Sequence, residues 1–414
     1  MNSQKTIALV DPFSSGSQLA HAAAARGFDS WMVQSTREIP PMYRSSYFPQ
    51  HFKNTIIFDG DFESICNSLR AENIQCVVAG CESGVELSDH ISEYMGLISN
   101  GTQLTQARRN KLLMSEVLRS SQISIPETRS FKDWLHVEKY LLQRSYPVVI
   151  KPLRSSGSDG VHLCTDLTTA RTAFNKIIGQ PDVYGYINRE VLIQEFVSGT
   201  EFAVDTVSRD GQHQVAAFWR YHKTLDQRTY VGCDAMELLP YCPSLHRSLF
   251  PYICRVLDAL GIRHGPAHCE VVNSSNGPVI IEVGARLNGG NNPLLSSYCG
   301  GRSQIELTLD AYLDATNFLL QIDRPYETLR HAIRVMLIPP TPGRLKSLPN
   351  FDYLQKLESF LQYRFSAMPG QRLSRVAGWV VLVHADREVI ESDMQRIRSF
   401  EADGLFETEP ESTD

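Results

Sequence analysis

The segment His268-Cys-Glu-Val-Val-Asn-Ser-Ser-Asn-Gly-Pro-Val-Ile-Ile-Glu282 has two apolar arms joined by a polar turn at Asn273–Gly277, the pattern of a β-hairpin. If the hairpin is symmetric about Asn276, Glu270 faces Glu282. Directly opposed side chains hold their Cβ atoms roughly 4.5–5.5 Å apart, and like charges there repel. Two carboxylates in an otherwise apolar hairpin call for a cation. Hard oxygen donors that leave room for phosphate oxygens suit Mg²⁺. His268, two residues before Glu270, shares its face. The plainer alternative is an exposed face on which each Glu sits beside a Lys or Arg.

The loop after the hairpin favours the cation. Gly284-Ala-Arg286-Leu-Asn288-Gly289-Gly290-Asn-Asn-Pro is rich in Gly and Asn, with an Arg four residues past Glu282. A guanidinium fork suits a phosphoryl oxygen or a carboxylate. Acids, Arg and a glycine loop together look like a phosphate-handling site.

Two earlier segments extend that reading. In Pro147-Val-Val-Ile-Lys151-Pro-Leu-Arg-Ser155-Ser156-Gly157-Ser158-Asp-Gly160-Val, an apolar strand delivers a Lys to a loop of small residues. Such a loop can turn backbone N–H groups toward a polyphosphate while the Lys supplies a point charge. It matches neither G-x-x-x-x-G-K-[ST] nor G-x-G-x-x-G, and a simple surface hairpin would use the same turn residues. In Val191-Leu-Ile-Gln194-Glu195-Phe196-Val197-Ser-Gly-Thr-Glu201-Phe-Ala-Val-Asp205, an apolar strand turns at Ser-Gly into a strand that starts with Glu. Its connector could grip an adenine and Glu201 ribose hydroxyls; an ordinary β-hairpin with an exposed acid reads the same way.

Composition bounds the classes. The chain has 414 residues, 42% of them hydrophobic and 21% charged, with 40 Lys and Arg against 46 Asp and Glu. That is too apolar for a disordered chain. The acidic balance, without a Lys/Arg block, gives no footprint for nucleic acid. No window approaches 18 apolar residues, so no membrane span is expected. The start, Met1–Gly16, lacks the long apolar region of a secretory signal. Nine scattered cysteines without a C-x-x-C pair suggest reduced thiols and a cytoplasmic location.

Organisation comes from periodicity. Thr6–Val10, Ser30–Gln34, Asn54–Phe58 and Gln75–Ala79 alternate with helical patterns near 17–26 and 82–95, which predicts a parallel α/β sheet. From about residue 106, period-two runs at Val161–Cys164, Val191–Phe196, Glu201–Val207 and Val215–Arg220 predict antiparallel α+β structure. A last unit has strands near His331–Leu337 and Ala377–His384 and a helix near Arg387–Phe400. We divide the chain into an α/β unit (1–105), a nucleotide-binding unit (106–327) and a C-terminal α+β unit (328–414). Phe218–Tyr230 is read as a pocket wall and Glu407–Asp414 as a frayed tail.

In this order, the three segments resemble the ATP-grasp superfamily, in particular its carboxylate–amine ligases of the L-amino-acid ligase (dipeptide synthetase) kind. Ala79-Gly-Cys-Glu82-Ser-Gly-Val85 and Arg108-Arg-Asn-Lys111-Leu-Leu-Met114 resemble the same subgroup. The resemblance implies ATP and Mg²⁺ as cofactors. Lys111 and Lys151 match the two ATP-contacting lysines, and Ser155–Gly160 the mobile lid. Gln194–Val197 match the adenine hinge and Glu201 the ribose acid. Glu270 and Glu282 match the magnesium acids, and Arg286 the Arg beside the transferring phosphate. Many superfamily members read Glu-x-Asn-x-Arg; here Gly284 replaces the Asn, and Asn288 or water is left to complete a second metal's shell.

The implied reaction has two steps: a carboxylate takes the γ-phosphate of ATP to give an acyl phosphate, and an amine then displaces phosphate. Amino acids are the expected substrates, with Glu82 holding an ammonium and His268, Asn288 and Gly289 lining their pocket. A homodimer is the expectation carried from the family. Alternatives are a purine-pathway or biotin-carboxylase-like ligase and a non-catalytic ATP-binding module. A Rossmann dehydrogenase is disfavoured because Thr6–Gly16 lacks G-x-G-x-x-G.

Overall fold

Thr6-Ile-Ala-Leu-Val10 carries no polar alternation because it is covered on both faces. The computed structural model describes residues 5–223, 232–341, 343–365 and 367–409. In it, Ile7 and Leu9 pack into one apolar cluster and Ala8 and Val10 into another. This is the signature of a central parallel strand. Strands β1 (Lys5–Val10), β2 (Phe28–Gln34), β3 (Asn54–Ile57) and β4 (Ile74–Ala79) form a parallel sheet in the order β3-β2-β1-β4. One face packs against Leu287, Ile305 and Leu309, which come from far along the chain. The carboxyl ends of β1 and β4 are thereby fixed beside the loop that succeeds the Glu hairpin.

A small antiparallel sheet comes next: β5 (Thr128–Phe131), β6 (Val148–Lys151), β7 (His162–Cys164) and β8 (Val191–Glu195), in the order β5-β8-β6-β7. Helices Trp134–Leu141 and Leu167–Ile177 bury its outer face. Asp133 and Asp166 cap these helices by accepting from His136 N and Thr169 N, which satisfies first-turn donors that have no intrahelical partner.

The rest of the chain builds one large antiparallel sheet. Its strands are β9 (Thr200–Arg209), β10 (Gln212–His222), β11 (Ala235–Leu239), β12 (Gly265–Ser274), β13 (Gly277–Gly284) and β14 (His331–Leu337). After a short β15 (Arg344–Leu345), β16 (Phe360–Phe365) and β17 (Gly378–His384) complete it, and β18 (Thr408–Glu409) pairs with β15. The order is β13-β12-β9-β10-β11-β14-β17-β16. The parallel sheet and the antiparallel α+β structure after it agree with the expected fold class.

The position expected to divide the last two units, near 327/328, therefore lies inside one hydrogen-bonded sheet. The apolar cores separate only in part: a cluster from Ile333 to Phe406 admits only Ala235 from the earlier chain, whereas another joins Ala332 and Val381 to Trp219, Met236 and Leu295. Among the described residues no helix is long and apolar enough to cross a membrane.

Candidate active site

A cavity of about 350 Å³ opens between the small sheet and the large one, within the usual size of a small-molecule site. The small sheet contributes Lys151, the loop Ser155–Ser158, and Gln194 and Glu195 with the connector Phe196–Val197. The large sheet contributes Glu201, Tyr221, His268, Glu270 and Glu282, with Arg286 just beyond its edge strand. Lys111 reaches in from the first turn of helix Lys111–Ser120. Fifteen expected site residues thus line one space: Lys111, Lys151, Ser155–Ser158, Gln194–Val197, Glu201, His268, Glu270, Glu282 and Arg286.

Glu270 and Glu282 are direct cross-strand partners, but not by a symmetric turn. Ser274 pairs with Gly277, which leaves Ser275 and Asn276 at the tip and would set Glu270 opposite Ile281. The register slips by one between Glu270 and Val271, so that Ile281 is an extra residue in β13. This bulge turns Glu282 onto the face of Glu270; a one-residue shift otherwise sends a side chain to the opposite face. The pair fits Mg²⁺, which binds through one or two carboxylates plus substrate phosphates. Among the described residues no group of three or more His, Cys, Asp and Glu side chains forms a metal cluster.

The cations are held by specific partners. Lys111 Nζ lies 2.9 Å from Glu282 and donates to the Ser155 carbonyl at 2.7 Å. Its helix starts correctly because the Asn110 side chain accepts from Leu112 N and Leu113 N. Lys151 Nζ donates to Gln194 Oε1 at 2.9 Å, and Gln194 Nε2 donates to Thr128. Burial, reinforced by the charge of Lys111, pulls the Lys151 ammonium down to about 8. Glu201 pairs with Lys223, yet burial leaves its carboxyl above the ordinary value.

His268 is the middle of a chain of acids. Its Nδ1 lies 2.8 Å from Asp205 and its Nε2 3.5 Å from Glu270. Burial alone would lower the imidazole, but Asp205 and Glu270 outweigh it and raise it to about 9. Burial would likewise raise Glu270; the His268 hydrogen bond and charge overcome this and hold the carboxyl at about 2. Asp205, fully buried, also accepts from Trp219 Nε1 and Asn288 Nδ2.

Three expected substrate residues are placed differently. Asn288 is buried outside the cavity: Nδ2 binds Asp205, Oδ1 accepts from Asn292 and the backbone N–H binds Gln304. It cannot also complete a metal shell at Gly284. Gly289 lies beside Ser14 and also outside the lining. Glu82 accepts from Arg286 Nε at 3.0 Å and pairs with Arg109 through its other oxygen. Burial opposes its ionisation, but the two guanidiniums keep its carboxyl below the ordinary value. Its charge is already answered within the protein, so a free ammonium finds little there.

Gly284 has a steric reason. A Cβ on it would lie 3.1 Å from both Arg286 Cζ and Glu82 Oε2. A side chain at 284 would crowd the ion pair that aims Arg286.

Asp205, Arg109, Tyr221 and Lys223 belong to the site although no individual role is assigned to any of them from the sequence. Asp205 carries a signal: it lies four residues after Glu201 in an apolar strand, hence on the same face. Tyr221 and Lys223 belong to the aromatic and polar run expected to wall the pocket and do line it. The rest of that run, 224–230, and residues 410–414 of the acidic tail lie outside the described residues.

Comparisons with known proteins give the chain's relatives. The family model for the ATP-grasp domain matches residues 144–293. Dapdiamide A synthase of Enterobacter agglomerans is 31% identical over 421 residues, covering 97% of each chain. Phosphoribosylamine–glycine ligase of Leptospira interrogans is 27% identical over only 142 residues, 34% of this chain and 32% of that one. The crystal structure of an L-amino acid ligase from Bacillus licheniformis superposes with a TM-score of 0.73 at 18% identity, covering 100% of both chains.

Proposed function

We propose a reaction for this chain from one starting point: it belongs to the ATP-grasp family of carboxylate–amine ligases. It is an ADP-forming enzyme that uses ATP and Mg²⁺ to make amide bonds. We assign amino acids as both substrates and a dipeptide or amino-acid amide as product. Full-length sequence similarity to dapdiamide A synthase supports this over a purine-pathway ligase, whose sequence match spans only a third of the chain. The observation that carries the site assignment is the in-register Glu270–Glu282 pair, with Lys111, Lys151 and Arg286 around one cavity.

Phosphoryl transfer needs little covalent help, so alignment and charge neutralisation dominate. Lys111 and Lys151 neutralise phosphate oxygens, the Gln194–Val197 connector receives adenine and Glu201 the ribose. Glu270 and Glu282 would hold the metal, which when bound supplies further neutralisation of phosphate charge. The substrate carboxylate attacks the γ-phosphorus, and the bond to the β-γ bridging oxygen breaks with its electron pair going to ADP. Arg286 neutralises the charge that develops on the transferring phosphoryl group and on the oxyanion of the later tetrahedral intermediate. The amine nitrogen then bonds to the acyl carbon. The acyl C–O bond breaks, and phosphate leaves with the electron pair and the surplus proton. Closure of Ser155–Gly160 keeps water from the acyl phosphate.

Phosphate release with Mg²⁺–ATP over pairwise amino-acid mixtures, with products identified by mass spectrometry, tests the assignment. Glu282→Gln and Arg286→Ala should abolish ligation; near-normal ADP release by either, with amino acids present, would sink the site. We also place the enzyme in the cytoplasm, because nine free thiols suit a reducing compartment. We propose a homodimer, which sedimentation would check.

A further inference from the structure

Outside the machinery just described, the most unusual group is Arg334. It sits on β14 in a row that crosses four strands: Tyr221, Met236, Arg334 and Val381 are successive cross-strand partners. Tyr221 and Met236 line the cavity, as does Met336 two residues along β14. The residue is 5% exposed and is not itself part of the cavity lining. Its guanidinium lies over the Trp379 ring at 4.9 Å and donates through Nη2 to the Gly290 carbonyl. Its Nε is buried with no hydrogen-bond partner.

Among the described residues no carboxylate pairs with Arg334, whereas Arg108, Arg109 and Arg286 are each buried on an acid. Burial without an anion holds Arg334 down to about 10. An uncompensated buried cation is costly, and a methionine-like side chain would be cheaper at this position. The fold nonetheless makes room for it. At Gly290, φ is +64° and a Cβ would collide with Arg334 Nη1, so glycine there leaves the guanidinium room to meet the loop carbonyl. The same loop carries Arg286, four residues earlier, on the cavity side.

We propose that Arg334 receives the free α-carboxylate of the amine-donating amino acid. The inference rests on the ligase reading above. In that reaction the carboxylate of one substrate is consumed, so a free carboxylate beside the new bond belongs to the amine donor. A guanidinium with an open N–H is suited to it. Arg286 at the acyl group and Arg334 at the carboxylate then flank the attacking nitrogen from the two ends of one loop.

The test compares an amine-donating amino acid with its neutral primary amide, using the full chain, Mg²⁺ and ATP. Wild type should favour the acid. Arg334→Met should raise KM for the acid at least tenfold while leaving KM for the amide and for ATP unchanged. Its unfolding midpoint should be equal or higher, because a partnerless charge has gone. Arg334→Lys, which keeps charge but loses the fork, should fall between.

Acid and amide shifting together, or neither shifting, would overturn the assignment in favour of a structural guanidinium. If wild type ligates no pair, the reaction assigned above fails, and Arg334 is read from binding with a non-hydrolysable ATP analogue present. Amino acids but not their amides should then raise the wild-type unfolding midpoint, with the difference lost in Arg334→Met. No such difference overturns the Arg334 proposal as well.

Discussion

Glu82 and Arg286 are 204 residues apart in sequence and 3.0 Å apart in space, joined by a hydrogen bond from Arg286 Nε to Glu82 Oε2. Glu82 stands three residues past the end of β4, at the carboxyl edge of the parallel sheet, where open α/β sheets place ligand-facing groups. Here that edge aims an arginine. The first sheet thus acts on the chemistry of the third through one ion pair, with Arg109 bracing the other oxygen.

Glu82→Gln keeps the shape and removes the charge, taking from Arg286 its ion-pair partner and leaving Arg109 only Glu86 at 3.8 Å. Breaking a buried pair in this way costs about 3–5 kcal/mol of stability, readable by urea unfolding. Turnover should fall more than KM for ATP changes, because Arg286 loses its aim rather than the nucleotide its lysines. Unaltered kcat would show that Arg286 is held by the cavity alone.

Gly284→Asn restores the residue common in the superfamily, yet it should lower activity here. The new Cβ would meet Arg286 and Glu82 at 3.1 Å, closer than a packed side chain tolerates without movement. We expect a drop in kcat of about tenfold, roughly 1.4 kcal/mol of barrier, together with a stability loss of about 1–3 kcal/mol typical of overpacking. A gain in activity would mean that the site tolerates a third metal ligand and that the ion pair can move aside.

Much of this is legible from the chain, because apolar period and turn chemistry are local. The uninterrupted Thr6–Val10 run marks a strand of the parallel sheet, and the ordered acids, Lys and small-residue loop mark residues that line one cavity. The hidden part depends on contacts distant in sequence. Glu82 resembles a substrate acid because nothing local reveals Arg109 and Arg286 on either side of it. Asn288 resembles a pocket residue because its partner, Asp205, lies 83 positions away. Arg334 looks like an ordinary strand cation, since neither Gly290 nor Trp379 is near it in sequence.

The Glu pairing is expected from sequence for an incomplete reason, and the difference is testable. Symmetry about Asn276 is produced by a two-residue tip plus a bulge at Ile281. Deleting Ile281 should regularise β13 and leave Glu282 opposite Glu270, because Glu282 then takes the position that a regular ladder gives to Ile281. Metal-dependent ADP release should survive the deletion in a protein that still unfolds cooperatively. Loss of that release would show that the bulge itself, and not the pairing alone, sets the geometry of the two acids.

Lys151 gives the nucleotide site a pH signature. Its ammonium is lowered from 10.5 to about 8 by burial and by Lys111, against the opposing pull of Glu282, Glu270 and Glu201. The buried charge penalises the folded state fully below about 8 and is relieved as pH rises toward 10.5, where the unfolded chain also loses its proton. An anionic nucleotide restores the charge, so binding at pH 9 should take up about one proton, and at pH 6.5 almost none. Calorimetry of Mg²⁺–ADP binding in buffers of differing ionisation enthalpy measures this uptake. Lys151→Met should abolish it and weaken binding at pH 7. Equal uptake in variant and wild type at pH 9 would mean that another group titrates and that Lys151 already meets the phosphates as a neutral amine.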